Sequence, residues 1–419
     1  MDRPDAHADS QRHDDGSTPS LEFQTANVVT ISFAHALNDV YASFLAPLLP
    51  ALIANFSLSN TQAGLLAFMQ SSPSLLQPVI GHLADRASLR YFVILMPALA
   101  GTSMALLGVA PRYAAVALLV TFAGLCSAAF HAAAPAMAGR LSGWRLGRGL
   151  GLWTVGGYLG FAVGPILVTY VVNAATLRAT PWLAIGGWVG SLILYLRLRH
   201  VPFQPPASTA PASWRHGIEG MRPILVPAVG ITLARAMSFA ATLTFLPVLL
   251  TSQGVDLWQA GISLSTVQFA SAAGALIAGS ASDRLGRRPV MLCSIFLASP
   301  LIFGLIMLRG WPQAAVLLGL GASVPATHVL LLALMQEVCP DNRALATGVL
   351  LSLTFVSESA GAVMLGALAD AFGLPIAYAV AGLVFFAAFP LVFLLPGQSE
   401  APSPPIPGEP HRRTTISKR

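Results

Sequence analysis

Three side chains of this 419-residue sequence stand where an ionised group is costly. Asp39, Arg235 and Glu358 each lie inside a long apolar run. An Asp or Arg at the centre of a membrane-spanning helix costs about 2.5–3.5 kcal/mol on insertion scales. Each of the three is 12 or 13 residues from one end of its run, a depth of about 18–20 Å and close to the midplane of a ~30 Å hydrocarbon core. His35 and Asp39 are four apart and share a helical face, with Asn38 beside them. A carboxylate next to an imidazole in a low-dielectric cavity can exchange protons near physiological pH. The plainer reading is that Asp39 pairs with Arg235 or bonds to a neighbouring helix. His131 and His328 add imidazoles, and Gln70, Gln77 and Gln268 add amides that serve either a cavity or helix–helix contact. Arg235 and the histidines suit an anionic group such as a phosphonate or carboxylate.

Such groups need a scaffold that carries them through a bilayer, and the composition supplies it. The chain is 55% hydrophobic and 10% charged, where a soluble domain carries about 25% charged residues. Of its 40 Lys, Arg, Asp and Glu, eight fall in residues 1–26 and six in 396–419, which leaves 26 across the 369 residues between. A water-soluble enzyme, a nucleic-acid-binding domain and a disordered protein are excluded. The net charge of +6 resides in short loops rather than on one soluble face. Cys126, Cys293 and Cys339 have the spacing of neither a disulfide framework nor a metal site. No metal centre, cofactor or obligate protein partner is expected. No P-loop is present, so direct ATP drive is not expected, and no Ser/His/Asp or Cys/His arrangement has supporting context.

Apolar stretches suited to crossing helices run near 27–55, 62–83, 91–110, 113–138, 148–172 and 181–199, then 222–251, 258–281, 289–308, 312–338, 345–371 and 375–395. The expected fold is an all-α polytopic membrane protein with twelve transmembrane helices. Basic residues divide 19 to 3 between the two sets of loops, and the positive-inside rule places both termini in the cytoplasm. The acid-rich N-terminal tail lacks a basic n-region and a cleavage site, so the first span is expected to stay as an anchor. The predicted organisation is a cytoplasmic tail (1–26), a six-helix bundle (27–199), a Pro-rich cytoplasmic linker (200–221), a second six-helix bundle (222–395) and a Pro-rich cytoplasmic tail (396–419).

The halves repeat. Gln62-Ala63-Gly64 recurs as Gln259-Ala260-Gly261, and Gly81, Asp85 and Arg86 recur as Gly279, Asp283 and Arg284. Gln70 matches Gln268, His131 matches His328, and Arg145 matches Arg343, all at an offset of 197 or 198. Two six-helix repeats around a central cavity are the pattern of secondary transporters.

The run Gly279-Ser-Ala-Ser-Asp283-Arg284-Leu-Gly286-Arg287-Arg288 resembles the signature loop of the major facilitator superfamily. The copy at Gly81, Asp85, Arg86 and Arg90 has Ala87-Ser88-Leu89 where a Gly and basic residues are usual. His35-x-x-Asn38-Asp39 and Leu75-Leu76-Gln77-Pro78 are similar to the fosmidomycin-resistance group of drug exporters within it. The resemblance implies that spans 1, 4, 7 and 10 line a central cavity, so that His131 and His328 face one region. It further implies that the Asp–Arg loops latch the cytoplasmic face. In the fifth span Gly156, Gly160 and Gly164, followed by Pro165, resemble the motif of proton-coupled antiporters, with Val168-Thr169 where two glycines usually follow.

These features lead to an inner-membrane carrier, driven by the proton gradient, that exports a small toxic or drug-like compound by alternating access. The alternatives are a proton symporter importing a small anionic metabolite, and a non-transporting receptor or enzyme on the same scaffold. The expected partners are the bilayer, a small-molecule substrate and protons, with no nucleic acid.

Overall fold

The structure, a computed structural model, describes residues 23–77, 79–80, 89–201, 214–339 and 343–396. The described residues form helices joined by short turns. The helices are α1 (Thr25–Ala42), α2 (Leu45–Phe56), α3 (Asn60–Ser71), α4 (Leu89–Ala105), α5 (Tyr113–Leu141), α6 (Leu146–Ala174) and α7 (Ala184–Leu198) in the first half. The second half holds α8 (Trp214–Phe239), α9 (Leu246–Ser252), α10 (Leu257–Leu285), α11 (Arg287–Met307), α12 (Trp311–Ser323), α13 (Ala326–Val338), α14 (Arg343–Phe372), α15 (Leu374–Phe386) and α16 (Phe389–Val392).

Among the described residues, 11 helical segments are long and apolar enough to cross a membrane. The remaining expected span begins as α3, tightens into a 3-10 turn over Ser72–Leu76, and then passes outside the described residues. Gly81, Asp85 and Arg86 lie there, as do the tails and the middle of the linker. Several spans are composite. The first breaks at Ser43-Phe44 between α1 and α2, and the tenth at Val324-Pro325 between α12 and α13. The seventh passes from α8 through a π-helical stretch, Ala240–Thr244, into α9. Such breaks release backbone carbonyls, which a membrane protein tolerates only where protein or a cavity receives them. Many outward faces are apolar, as Leu118, Leu276 and Ile277 are, which suits contact with acyl chains.

The repeated Gln-Ala-Gly segments do the same job twice. Gln62 is the third residue after the Ser59 N-cap, and its backbone N–H donates to Ser59 Oγ at 3.1 Å while its Oε1 accepts from the Ser59 N–H. Gln259 is third after Asp256, whose carboxylate accepts from its N–H at 2.8 Å. Each cap starts a span at the face away from the termini. Two residues on, the glycine opens a seam between the halves. A Cβ on Gly64 would stand 2.4 Å from the Ala362 carbonyl oxygen, and one on Gly261 would stand 2.3 Å from Thr169 Oγ1. Side chains of any size would force α3 from α14 and α10 from α6.

The seam continues at that face. Asp370, near the end of α14, accepts from the Asn60 and Thr61 backbone N–H groups at 2.7 and 2.8 Å, from Asn60 Nδ2 at 2.9 Å and from the Thr61 hydroxyl at 2.6 Å. An anion here meets the positive end of the α3 dipole. Tyr170 and Trp258 meet edge to face nearby, with centroids 5.9 Å apart. These contacts close the halves on the side opposite the termini.

Candidate functional site

Below that seal lies a cavity of about 370 Å³ with walls from both halves. Along α14, Glu358 is 12 residues before Asp370, which puts it about 18 Å deeper. Arg235 on α8 and Glu358 both line the cavity and form an ion pair through Arg235 Nη2 and Glu358 Oε1. Phe239, one turn beyond Arg235, stacks under the guanidinium with its centroid 5.1 Å from Cζ. The π-helical stretch brings Leu243 and Thr244 into the wall after it. His328, Gln70 and Gln268 also line the cavity. Thr354 Oγ1 lies 3.4 Å from His328 Nδ1. Gln70 donates from Nε2 to the Ala42 carbonyl at 2.6 Å, which ties it to the broken end of α1.

Asp39 is not part of this pair. It belongs to a second cluster inside the first half, made with His35 of α1 and His131 of α5. The expectation that His131 and His328 share one region gives way accordingly, for His328 is in the cavity wall and His131 is not. His35 Nε2 lies 3.1 Å from Asp39 Oδ2 and 3.2 Å from His131 Nε2, and His131 Nε2 is 3.8 Å from Asp39 Oδ1. His35 and Asp39 are almost wholly buried, His131 partly.

The chemistry of the cluster follows from the other ring nitrogens. His35 Nδ1 is 2.7 Å from the Trp153 carbonyl, and His131 Nδ1 is 2.9 Å from the Ser127 carbonyl. A carbonyl can only accept, so the tautomer that satisfies each of these contacts carries its hydrogen on Nδ1; the Ser127 hydroxyl also lies 3.3 Å from His131 Nδ1. Neutral rings therefore turn two Nε2 lone pairs and a carboxylate on each other. One added proton on His35 Nε2, the atom within hydrogen-bond reach of both other groups, relieves that repulsion by placing a donor among the acceptors. Trp153 also stacks on His35, 13° from parallel at 3.8 Å between centroids, which fixes the ring plane. Asn38 Nδ2 donates to Asp39 Oδ1 at 2.9 Å and to Ser127 Oγ at 3.1 Å. Asn38 Oδ1 is buried without a hydrogen-bond partner. The three ligand-type atoms fall within 4.8 Å of one another, the one such group among the described residues, so these side chains could hold a metal ion.

The glycines of α6 seat this cluster. Cβ atoms on Gly156, Gly160 and Gly164 would stand 2.2, 2.4 and 2.3 Å from the carbonyl oxygens of Ser32, Ala36 and Val40. The four-residue steps match on both helices, so α6 lies along α1 backbone to backbone. Gly157 is the glycine that the spacing did not single out. A Cβ there would fall 2.4 Å from His35 Cε1 and 3.0 Å from Asp39 Oδ2. Pro165 lines the cavity instead.

At the terminus face, Gly286 turns with φ +94° between α10 and α11, a conformation suited to glycine. Arg287 beyond it pairs with Asp283 at 2.7 Å and with Glu337 of α13 at 2.7 Å, and it donates to Ser282 Oγ. All three partners belong to the second half. Gly279 has open space where a Cβ would be. Arg284 and Arg288 have no ion-pair partner among the described residues.

A model of the Major Facilitator Superfamily matches residues 31–267 and 228–418. The chain is 26% identical over 374 residues to the fosmidomycin resistance protein of Escherichia coli, covering 87% of this chain and 91% of that one. It is 26% identical over 393 residues to the MFS-type transporter YfnC of Bacillus subtilis, covering 89% and 93%. Among solved structures, a bacterial homologue of the human lysosomal transporter Spinster, inward-facing and unoccupied, superposes with a TM-score of 0.73 at 16% identity, covering 93% of this chain and 100% of the other. The nucleoside transporter NupG superposes with a TM-score of 0.71 at 17% identity, covering 89% and 100%.

Proposed function

The chain belongs to the major facilitator superfamily of membrane transporters, and from that premise we propose that it is a proton-coupled antiporter exporting a small drug-like compound. The observation that carries this reading is the His35–Asp39–His131 cluster, whose two Nδ1–H groups are committed to carbonyls and whose Nε2 atoms face a carboxylate. That geometry has a place for one proton at membrane depth. An incoming proton satisfies the cluster, and its release on the other side restores the repulsion that drives the return stroke. The membrane potential supplies about 2.3 kcal/mol per charge per 100 mV.

The substrate site in this reading is the cavity at Arg235, Glu358 and His328, where an acidic group of the substrate meets Arg235. The relative named as a fosmidomycin resistance protein supports a toxic, phosphonate-like cargo. Both termini face the cytoplasm of a bacterial inner membrane, so the closed face is the outer one, and the signature loops latch the cytoplasmic face in the alternate state.

Proton movement in inside-out vesicles energised to an acid interior tests the proposal. Addition of fosmidomycin or another small acid should alkalinise the lumen, and Asp39→Asn should abolish the response. Acid-stimulated uptake into right-side-out vesicles, with no response in the first assay, would reverse the carrier into an importer.

A further inference from the structure

The cavity wall carries one positive and one negative side chain. Among the described residues that line it, Arg235 and Glu358 are the only Arg, Lys, Asp or Glu. They satisfy each other through one contact, Nη2 to Oε1. A guanidinium has five N–H donors and a carboxylate has two acceptor oxygens. Among the described residues, the remaining Arg235 donors and Glu358 Oε2 have no protein hydrogen-bond partner. The cavity thus keeps open hydrogen-bonding capacity of both signs while its charges cancel.

Charge cancellation restricts what binds well. An acid entering alone would satisfy Arg235 but bring an uncompensated negative charge beside Glu358, in walls that include Phe161, Phe239 and Phe355. A base entering alone would do the reverse. A molecule that brings both signs leaves the sum at zero and uses both sets of open valences. Resting on the transporter reading above, we infer that the substrate is a small zwitterion. Its acidic group accepts from Arg235, its ammonium donates to Glu358 Oε2, and an apolar body packs on the phenylalanines. The Arg235–Glu358 pair remains intact beneath it. This sharpens the expectation of a plain anion, which treated Arg235 as unpaired.

A deletion series on one body tests the inference. L-phenylalanine carries both groups, 3-phenylpropanoate only the acid and phenethylamine only the amine. Binding to the purified full chain is measured by isothermal titration calorimetry at pH 8, where a histidine of ordinary pKa is neutral. Phenylalanine should bind about tenfold or more tightly than either relative. Glu358→Gln should move the preference toward 3-phenylpropanoate, and Arg235→Gln toward phenethylamine. Where a single variant does not elute as a monodisperse species, the Arg235→Gln/Glu358→Gln double variant, which leaves no lone charge, serves instead and should lose the zwitterion's advantage. Equal or tighter binding of 3-phenylpropanoate by the wild type overturns the inference, as does binding of none of the three at millimolar concentration. Unchanged rank order in the variants does so too. The vesicle assay is scored separately: phenylalanine binding without proton movement removes the exporter reading, and proton movement with acids alone removes the zwitterion.

Discussion

Asp370 holds Thr61 twice through one atom, its Oδ2 accepting from both the backbone N–H and the hydroxyl, although the residues are 309 positions apart. With the two bonds to Asn60, this joins the halves of the carrier across the closed face. The carboxylate is exposed, so its contribution is set by the α3 dipole and by charged hydrogen bonds weakened by water, about 1 kcal/mol in all. Asp370→Ala should therefore shift the conformational balance toward opening of this face about fivefold. Double electron–electron resonance between spin labels at Thr176 and Gln253 in a cysteine-free background would read the shift as a longer distance population. An unchanged distribution would leave the closure to the glycine seams alone.

Those seams make a second prediction. Gly160→Ala places a methyl group 2.4 Å from the Ala36 carbonyl and 2.9 Å from Asp39 Cβ, so α1 must move away from α6. Overpacking of this kind costs about 1–3 kcal/mol. Gly147→Ala, on the same helix, meets nothing within 4 Å and should be neutral or slightly stabilising. Thermal unfolding of the two variants in detergent separates a close-packing role from a general intolerance of alanine in α6.

The two ion-pair systems should respond to truncation differently. Arg235 and Glu358 are mostly buried, with side chains 4% and 16% exposed. Arg235→Ala strands a carboxylate in the bilayer interior and should cost about 3–5 kcal/mol. Arg287→Ala breaks two pairs, yet its partners Asp283 and Glu337 are 65% and 41% exposed, and the loss should be about 1 kcal/mol or less. Chemical denaturation of both variants beside the wild type compares them directly.

Asp39→Asn should separate coupling from binding. No member of the His35–Asp39–His131 cluster lines the cavity. Ligand affinity measured by calorimetry should stay within about twofold, because sites without shared partners perturb each other little, while proton movement disappears. A parallel loss of affinity would merge the two sites into one.

Much of this was legible in the sequence because a bilayer writes clear text. Apolar runs, loop arginines and the recurrent Gln-Ala-Gly segments sufficed for the spans and the repeat. The depth of Asp39, Arg235 and Glu358 marked them as unusual, but three charges at one depth do not reveal which pair. That depends on helix rotation, which turns Asp39 toward His131, 92 positions away. The anchors of the imidazoles were invisible for another reason: Trp153 and Ser127 act through backbone carbonyls, which every residue has. Gly157 was hidden beside Gly156, since one glycine of an adjacent pair suffices for the four-residue spacing. Asp370 stands at a span end, where acidic residues are commonplace.

The seating of α6 along α1 has a mechanical consequence. Because Gly156, Gly160 and Gly164 bring backbone against backbone, the two helices have few side chains between them to re-sort and travel as a single bar. His35 and Asp39 ride on that bar, and Tyr158, Phe161 and Pro165 of the same bar form part of the cavity wall. A change of charge in the cluster thus acts on the movement of the bar, and through it on the cavity wall during the transition, rather than on the groups that bind the cargo. On the antiporter reading proposed above, the carrier would behave as a lever, and a blocker wedged in the cavity would stall it with its proton still aboard.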